Sequence, residues 1–565
     1  MKALVINTTR MGDLIQSTPL MQSLQAQGYE VSLLYSDGFE GIATMLAGVD
    51  HLVPLSLLEA VNPLLLKGVD FIDSYKFLAK TLSPLRDASF DLVVNATHSA
   101  YSAVLTGIVA GKATVGLSCD SHGKQLNTSD WGRYYLTSQS CRESNRFNLV
   151  DIHRMMAGVN RAFPVKLKVP ASAQAKADEI LGEEFAKECK LIGIVPGAST
   201  LEKTLPVESF AATIQQLQAT HQIKVLIFGA KSEAVTGAKL ATLLPGSLDL
   251  CGKTDVATLS ALISRCDLLL SNDTGPMHIA AAVGTTVVDI SLGSALASET
   301  ALYGEGHYVI ESTIGCHPCL PRMHCTHFSC GRSILPSVIA RVAEAALNGR
   351  EPLLNDYDNL SDVNIYRTSF DQDGLLELVP LLKRAASADD LLYDAMKEVW
   401  KEALLQSIPV VKTYHHSGSG LEISAEVAAK LPSIIVGFVK VEEIAGIGAR
   451  SCEELVKLAE DPARIETMKQ LADAIQNIDR GLAQIAYAIP STMPFLTQFT
   501  SAKADIRSVT LTDHAAKTAI LFQNLGGWCR SLIEKLELRS NKLKACSPHS
   551  FAGRVHQDVE VVNAA

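Results

Sequence analysis

Short apolar runs recur from Met1 to about Ile290, each followed by a stretch in which apolar residues return every three or four positions. The first series is Ala3–Asn7, Val31–Tyr35, Leu52–Leu55, Asp91–Asn95 and Ala113–Leu117; the second is Leu191–Val195, Lys224–Phe228, Leu248–Leu250, Leu268–Ser271 and Thr286–Ile290. Near-continuous apolar runs predict strands buried on both faces, and the periodic stretches between them predict the helices that cover those faces. Two such series predict an α/β fold with two doubly wound, Rossmann-like parallel sheets, one over residues 1–165 and one over 166–350. Lys166–Lys190, polar, Ala-rich and broken by Pro170, reads as the connector and its flanking helix. Ligands of such sheets bind beyond the carboxyl ends of the strands, so the cleft between the two is the expected site.

From about Asn355 helical periodicity takes over, and residues 351–565 are expected to form a mainly α-helical extension. Asp461-Pro462 has the cap and first-turn residues of a helix start, and Ile475, Ile478, Leu482, Ile485 and Ile489 follow at spacings of three and four. Such a seam packs either inside a bundle or between copies of the chain, as a homo-oligomer. His415–Gly420, HHSGSG, reads as a flexible loop. Val441–Glu460 carries Gly446-Ile447-Gly448 between helix-forming residues, the pattern of a helix-hairpin-helix that grips a nucleic-acid backbone. Glu442, Glu443, Glu453, Glu454 and Glu460 outnumber Arg450 and Lys457 there, so a plain glycine turn without a nucleic-acid partner is the better reading.

Composition narrows the classes. A chain of 565 residues is too long for one core. Its 47% hydrophobic and 19% charged residues are those of a soluble globular protein, and 50 basic against 60 acidic side chains give a net charge of −10. That balance argues against a general attraction to nucleic acid or anionic lipid. MKALVIN enters an apolar run directly, without the h-region and cleavage site of a leader, and no run approaches the roughly 18 residues of a membrane helix. A cytoplasmic protein is expected, in which the 12 cysteines read as buried thiols or metal ligands.

Candidate chemistry gathers where the runs end. Ser271–Gly284, SNDTGPMHIAAAVG, turns from a buried run directly into an Ala-rich helix, whose free N–H groups and dipole stabilise an anion. Asp273, Thr274 and Gly275 lie at the turn, and His278, four residues after Thr274, shares its face. A capped core helix has the same sequence signature, since Asp and Thr are favoured caps. In Thr8–Asp13, TTRMGD, Asp13 stands at the mouth of the cleft, where it can take a proton from a hydroxyl or cap the following helix, Leu14–Ala26. Pro196–Thr200, PGAST, contains Ser199 and precedes Lys203; small residues let backbone approach a phosphate and the lysine adds a point charge, unless it is merely a solvent-facing loop residue. Phe228–Glu233, FGAKSE, sets Glu233 to accept bonds from a ribose, and Gly252-Lys253-Thr254 follows the next run in the same way.

With these motifs in this order, residues 1–350 resemble the ADP-heptose:lipopolysaccharide heptosyltransferases, inverting glycosyltransferases of the two-Rossmann GT-B type. The resemblance rests on TTRMGD, PGAST with Lys203, FGAKSE, LCGKTD and SNDTGPMHIAAAVG. It implies that Asp13 is the general base on the acceptor hydroxyl, that Ser199, Lys203, Asp273, Thr274 and Gly275 hold the donor diphosphate, that Glu233 contacts the nucleoside and that His278 lies against the donor. The implied reaction moves a heptose or related sugar from a nucleotide-diphosphate donor, ADP-heptose, to a lipopolysaccharide core or other envelope glycan at the inner membrane face. No cofactor is needed for it: inversion wants a base on one side and a stabilised diphosphate on the other, and a helix dipole, N–H groups and Lys203 can neutralise the leaving group. A metal-dependent transferase would carry Asp-x-Asp at a strand end; the tempting copy, Asp371-Gln372-Asp373, is expected to be a turn outside both sheets. Two departures stand out, Thr204-Leu205-Pro206 where the family usually has a tryptophan after the lysine, and the chain beyond residue 350.

Cys316, Cys319, Cys325 and Cys330, with His317, His324 and His327 interleaved, can close a tetrahedral site for a structural zinc or iron; unligated thiols are the alternative. Family members that modify proteins are similar in carrying a cysteine-bound iron, so transfer to a protein is the runner-up, and a non-catalytic scaffold on a transferase fold is the alternative from another class. Asp120–His153 interleaves Lys124, Trp131, Arg133, Tyr134, Arg142, Arg146 and His153, with Arg154 just beyond, a set that suits an acidic sugar acceptor as well as it suits a solvated loop.

Overall fold

The first five apolar runs all become strands: β1 (Lys2–Ile6), β2 (Glu30–Ser36), β3 (His51–Leu55), β4 (Leu92–Asn95) and β5 (Ala113–Cys119), joined by a short β6 (Gln125–Asn127). Their order in the computed structural model is β3-β2-β1-β4-β5-β6, parallel throughout except for β6. Leu4, Ile6, Leu34 and Val93 are fully buried, as strands covered on both faces require. Where one helix was expected after β1 there are two, α1 (Met11–Gln16) and α2 (Thr18–Ala26), because Pro19 in the first turn of α2 has no N–H to continue the ladder of α1. The Asp120–His153 stretch contributes α3 (Asp130–Ser138) and the start of α4 (Leu149–Met156).

The second sheet contains β7 (Lys190–Val195), β8 (Ile223–Ile227), β9 (Leu248–Asp249), β10 (Leu268–Asn272), β11 (Val287–Ser291), β12 (Tyr308–Ser312), β13 (Val363–Phe370) and β14 (Leu376–Pro380). It runs β14-β13-β12-β11-β10-β7-β8-β9, with β7 to β12 parallel and the β13–β14 hairpin antiparallel at its edge. In each sheet the strand order reverses once, between β1 and β4 and between β7 and β10. The sequence TGPMHIAAAVG enters α5 (Gly275–Val283) directly from β10.

Two expectations need correction here. Helical periodicity does not follow immediately on Asn355, because β13 and β14 first extend the second sheet; their mixed polar and apolar faces lack the continuous apolar signature of the inner strands. Asp371-Gln372-Asp373 is indeed a turn, yet it links two strands of that sheet, and both carboxylates grip Lys401, Asp371 at 3.0 Å.

The structure describes residues 1–56, 71–159, 162–185, 189–320, 325–354, 360–382, 386–405, 425–459 and 461–546, so the HHSGSG segment lies outside it. The chain divides into two units: one draws on Met1–Lys383, Lys401–His415 and Thr500–Asp505, and the other on Arg384–Trp400, His416–Phe499 and Ile506–Ala565. In the second unit α6 (Ala425–Leu458), α7 (Ile465–Ala488) and α8 (Leu511–Cys546) are the long helices, and Trp400 packs against Phe495 and Trp528 with ring centroids 5.0 Å away from each. Asp461 caps the start before α7 through the Ala463 N–H, as its sequence predicts. Gly446-Ile447-Gly448 makes no turn: α6 runs through it. A Cβ at Gly448 would lie 2.6 Å from the buried Phe522 ring, so this glycine serves the close approach of α6 to α8. No described helix is long and apolar enough to cross a membrane.

Candidate functional site

Three strands flanking the two order reversals lead into a buried asparagine, and each asparagine binds backbone at the carboxyl end of its sheet. Asn7, after β1, donates from Nδ2 to the Asp13 carbonyl at 3.0 Å. Asn95, closing β4, donates to the Leu117 carbonyl at 2.7 Å and accepts from the Thr97 N–H at 2.9 Å. Asn272, closing β10, donates to the Pro196 carbonyl at 2.9 Å and accepts from the Leu205 N–H at 3.0 Å, which fastens both ends of the PGAST–Lys203 loop. Sequence reasoning passed over these three residues. Their signal is an apolar run ending in Asn, in ALVIN, LVVN and LLLSN, where a buried amide must find backbone partners.

The loops so held converge. A Cβ at Gly12 would lie 2.7 Å from Cδ2 of His278, and one at Gly275 would fall inside contact distance of the Met11 methyl. The start of α1 and the start of α5 therefore touch through two glycines, which brings TTRMGD and SNDTGPMH together although some 260 residues of chain separate them. Gly275, read as a place for ligand to meet backbone, makes room for Met11. Asp13 lies inside the first turn of α1, and its Oδ2 accepts the Arg10 N–H at 3.2 Å, so it does cap the helix. It also lies close enough to His278 and Tyr135 to act on their charge states.

Lys203 is not a solvent-facing loop lysine. Its side chain is 12% exposed and its Nζ lies 2.5 Å from Asp273 Oδ2, so the cation expected to meet a diphosphate is already held by a carboxylate of the phosphate-seat motif. Burial lowers the His278 pKa; Asp273 and Asp13 oppose the shift and Lys203 adds to it. Thr274 precedes α5 without a side-chain bond to the helix end, which leaves the hydroxyl and the leading N–H groups of α5 unengaged with each other. Glu233 accepts the Ala230 N–H at 2.6 Å and lies against Gly197 and Gly229, so a side chain at Gly197 would displace it. Ser199 is exposed on the same loop that Asn272 fastens.

Of the cations singled out around Asp120–His153, Lys124 is exposed, whereas three arginines are taken up by carboxylates. Arg142 pairs with Glu299 at 2.6 Å, Arg133 with Asp505 at 3.1 Å, and Arg154 with Asp151 at 3.0 Å in full burial. Trp131 and Tyr134 are core residues, and His153 lies Nε2 to Nε2 3.3 Å from His98. The thiols of Cys330, Cys316 and Cys325 lie near enough to Cys319 to raise its pKa, after the larger effect of burial. The Phe328 N–H points to Cys325 Sγ at 3.3 Å. Even so, no three His, Cys, Asp or Glu side chains among the described residues close on a common point that could hold a metal ion, and His324 lies outside those residues.

A model of glycosyltransferase family 9 (heptosyltransferase) matches residues 78–327, a span that begins after Asp13. Lipooligosaccharide heptosyltransferase 2 of Campylobacter jejuni is 28% identical over 165 residues, covering 28% of this chain and 51% of that protein. Lipopolysaccharide core heptosyltransferase OpsX of Haemophilus influenzae is 26% identical over 243 residues, covering 42% of this chain and 67% of that protein. Lipopolysaccharide heptosyltransferase 3 of Escherichia coli is 25% identical over 296 residues, covering 49% of this chain and 80% of that protein. The chain thus spans about half the length of the Campylobacter relative. At the level of that segment, residues 78–327, the chain thus matches glycosyltransferase family 9, the heptosyltransferases.

Proposed function

We propose that the chain is an inverting, GT-B-type heptosyltransferase that moves a heptose from ADP-heptose to a lipopolysaccharide core or comparable envelope glycan, working from the cytoplasmic side of the inner membrane. One observation carries the proposal: the α1 start, with Asp13, meets the α5 start, with Asp273, Thr274 and His278, at the order reversals of two α/β sheets. Ligands of doubly wound sheets bind at such points. The names of the relatives, all lipooligosaccharide or lipopolysaccharide heptosyltransferases, support the sugar and the acceptor class.

In this scheme the acceptor hydroxyl gives its proton to Asp13 as it attacks the anomeric carbon, and the bond to the diphosphate breaks on the opposite side. Charge gathering on the leaving group meets the N-terminal end of α5 and Lys203. Lys203 has to share itself between Asp273 and the phosphates, while Glu233, set between Gly197 and Gly229, faces the nucleoside.

The deciding experiment is transfer from ADP-heptose by the full chain and by Asp13→Asn. The variant is expected to keep ADP binding and to lose transfer by about 10²-fold to 10⁴-fold, the usual contribution of a general base. Failure of the unaltered chain to bind ADP at millimolar concentration would sink the proposal.

A further inference from the structure

One buried acid beside the proposed phosphate seat has no role in that scheme. Asp289 stands on β11 in register with Ser271 of β10; it is 2% exposed, and its Oδ1 has no hydrogen-bond partner among the described residues. Asp273 from the turn after β10, Lys203 from the loop after β7 and Glu311 from β12 lie near enough to act on its charge state. Glu311 is itself held by the Ala297 N–H at 3.0 Å, and Lys203 by Asp273 at 2.5 Å. One cation and three carboxyl groups are therefore gathered here. A fully ionised set would leave buried charge uncompensated, and a bound diphosphate would add more of the same sign. Burial, then Asp273, with Glu311 adding and Lys203 opposing, pushes the Asp289 carboxyl well above the usual carboxylate range.

We propose, resting on the reading of this place as the diphosphate seat, that Asp289 is a positioning residue held there as the neutral acid, so that Lys203 answers to the single carboxylate of Asp273 and stays available to phosphate. An ionised Asp289 would draw Lys203 inward and repel the ligand. Asp289 touches no reacting atom; it acts through Lys203.

The test is the affinity of the full chain for ADP between about pH 6 and pH 10, for the unaltered protein, Asp289→Asn and Glu311→Gln. The unaltered protein is expected to lose affinity on an alkaline limb whose slope approaches about tenfold per pH unit, the signature of one proton. Asp289→Asn keeps the shape of the neutral acid and should bind like the unaltered protein at the acid end while lacking that limb. Glu311→Gln removes a charge that keeps the proton on Asp289, so its limb should begin at lower pH; this variant also decides the matter if Asp289→Asn does not fold. An alkaline limb that is the same in all three proteins overturns the role of Asp289 and leaves the phosphate seat standing. Absence of ADP binding by the unaltered protein at every pH overturns the seat, and this inference with it.

Discussion

Gly12→Ala probes the candidate site at its narrowest point. The new methyl carbon would lie 2.7 Å from Cδ2 and 3.3 Å from Nε2 of His278. Carbon atoms settle at about 3.5–4.0 Å, so α1 and α5 must part by roughly 1 Å. The His278 ring has little room to yield, being 7% exposed and set in the first turns of a buried helix. Overpacking of this kind costs about 1–3 kcal/mol, partly offset by the roughly 1 kcal/mol by which alanine exceeds glycine in a helix. The net loss of stability is then small, about 0–2 kcal/mol. Transfer should suffer far more, because a displacement of about 1 Å between base and donor can lower the rate by about 10²-fold. Gly275→Ala is the matched control: its methyl meets only the end of the Met11 side chain, which has three rotatable bonds and can swing aside. Thermal melts and transfer assays on both variants decide the matter. A Gly12→Ala protein that transfers at the unaltered rate refutes the geometry.

In the helical unit, Gly448→Ala should destabilise by about 1–3 kcal/mol through its clash with Phe522, whereas Gly446→Ala, whose nearest neighbour is Arg450 Nη1 at 3.4 Å, should stabilise by up to about 1 kcal/mol. Denaturant titrations distinguish this from a functional glycine turn, which both substitutions would damage. Burial depresses the His307 pKa to about 4, so the folded chain resists a proton that the unfolded chain accepts from about pH 6.5 downward. Stability from this group is complete above about pH 6.5 and falls towards pH 4 at a slope of up to about 1.4 kcal/mol per pH unit; His307→Leu should flatten that part of the stability curve, and an unchanged slope counts against it.

The inner strands were legible because a strand buried on both faces must be apolar along its whole length, as in LVVN and LLLSN. The β13–β14 hairpin was not: VNIYRTSF and LELVP mix polar and apolar residues with neither a continuous apolar run nor a strict alternation, and only their place beside β12 makes them strands of this sheet. Gly446 and Gly448 misled for a related reason. Glycine between helix formers means a turn when local propensity decides, but here Phe522 of α8 fills the space that a side chain would need. The positions of Asp13 in the first turn of the helix after β1 and of Asp273 just beyond β10 were readable from adjacent residues, whereas the engagement of Lys203 by Asp273 was not.

By itself the sequence determined what depends on neighbours along the chain: the two series of buried strands, the cap at Asp461, and the motifs that end each run. Only the tertiary structure decided which charges remain for a ligand. Arg142, Arg133 and Arg154 are taken up by Glu299, Asp505 and Asp151, and Lys203 is engaged by Asp273. A charge buried by folding must find its partner wherever the fold delivers one, and such partners lie at any distance in sequence. The meeting of Gly12 with His278 has the same origin: the absence of a side chain is written locally, and the reason for it arrives from the other sheet.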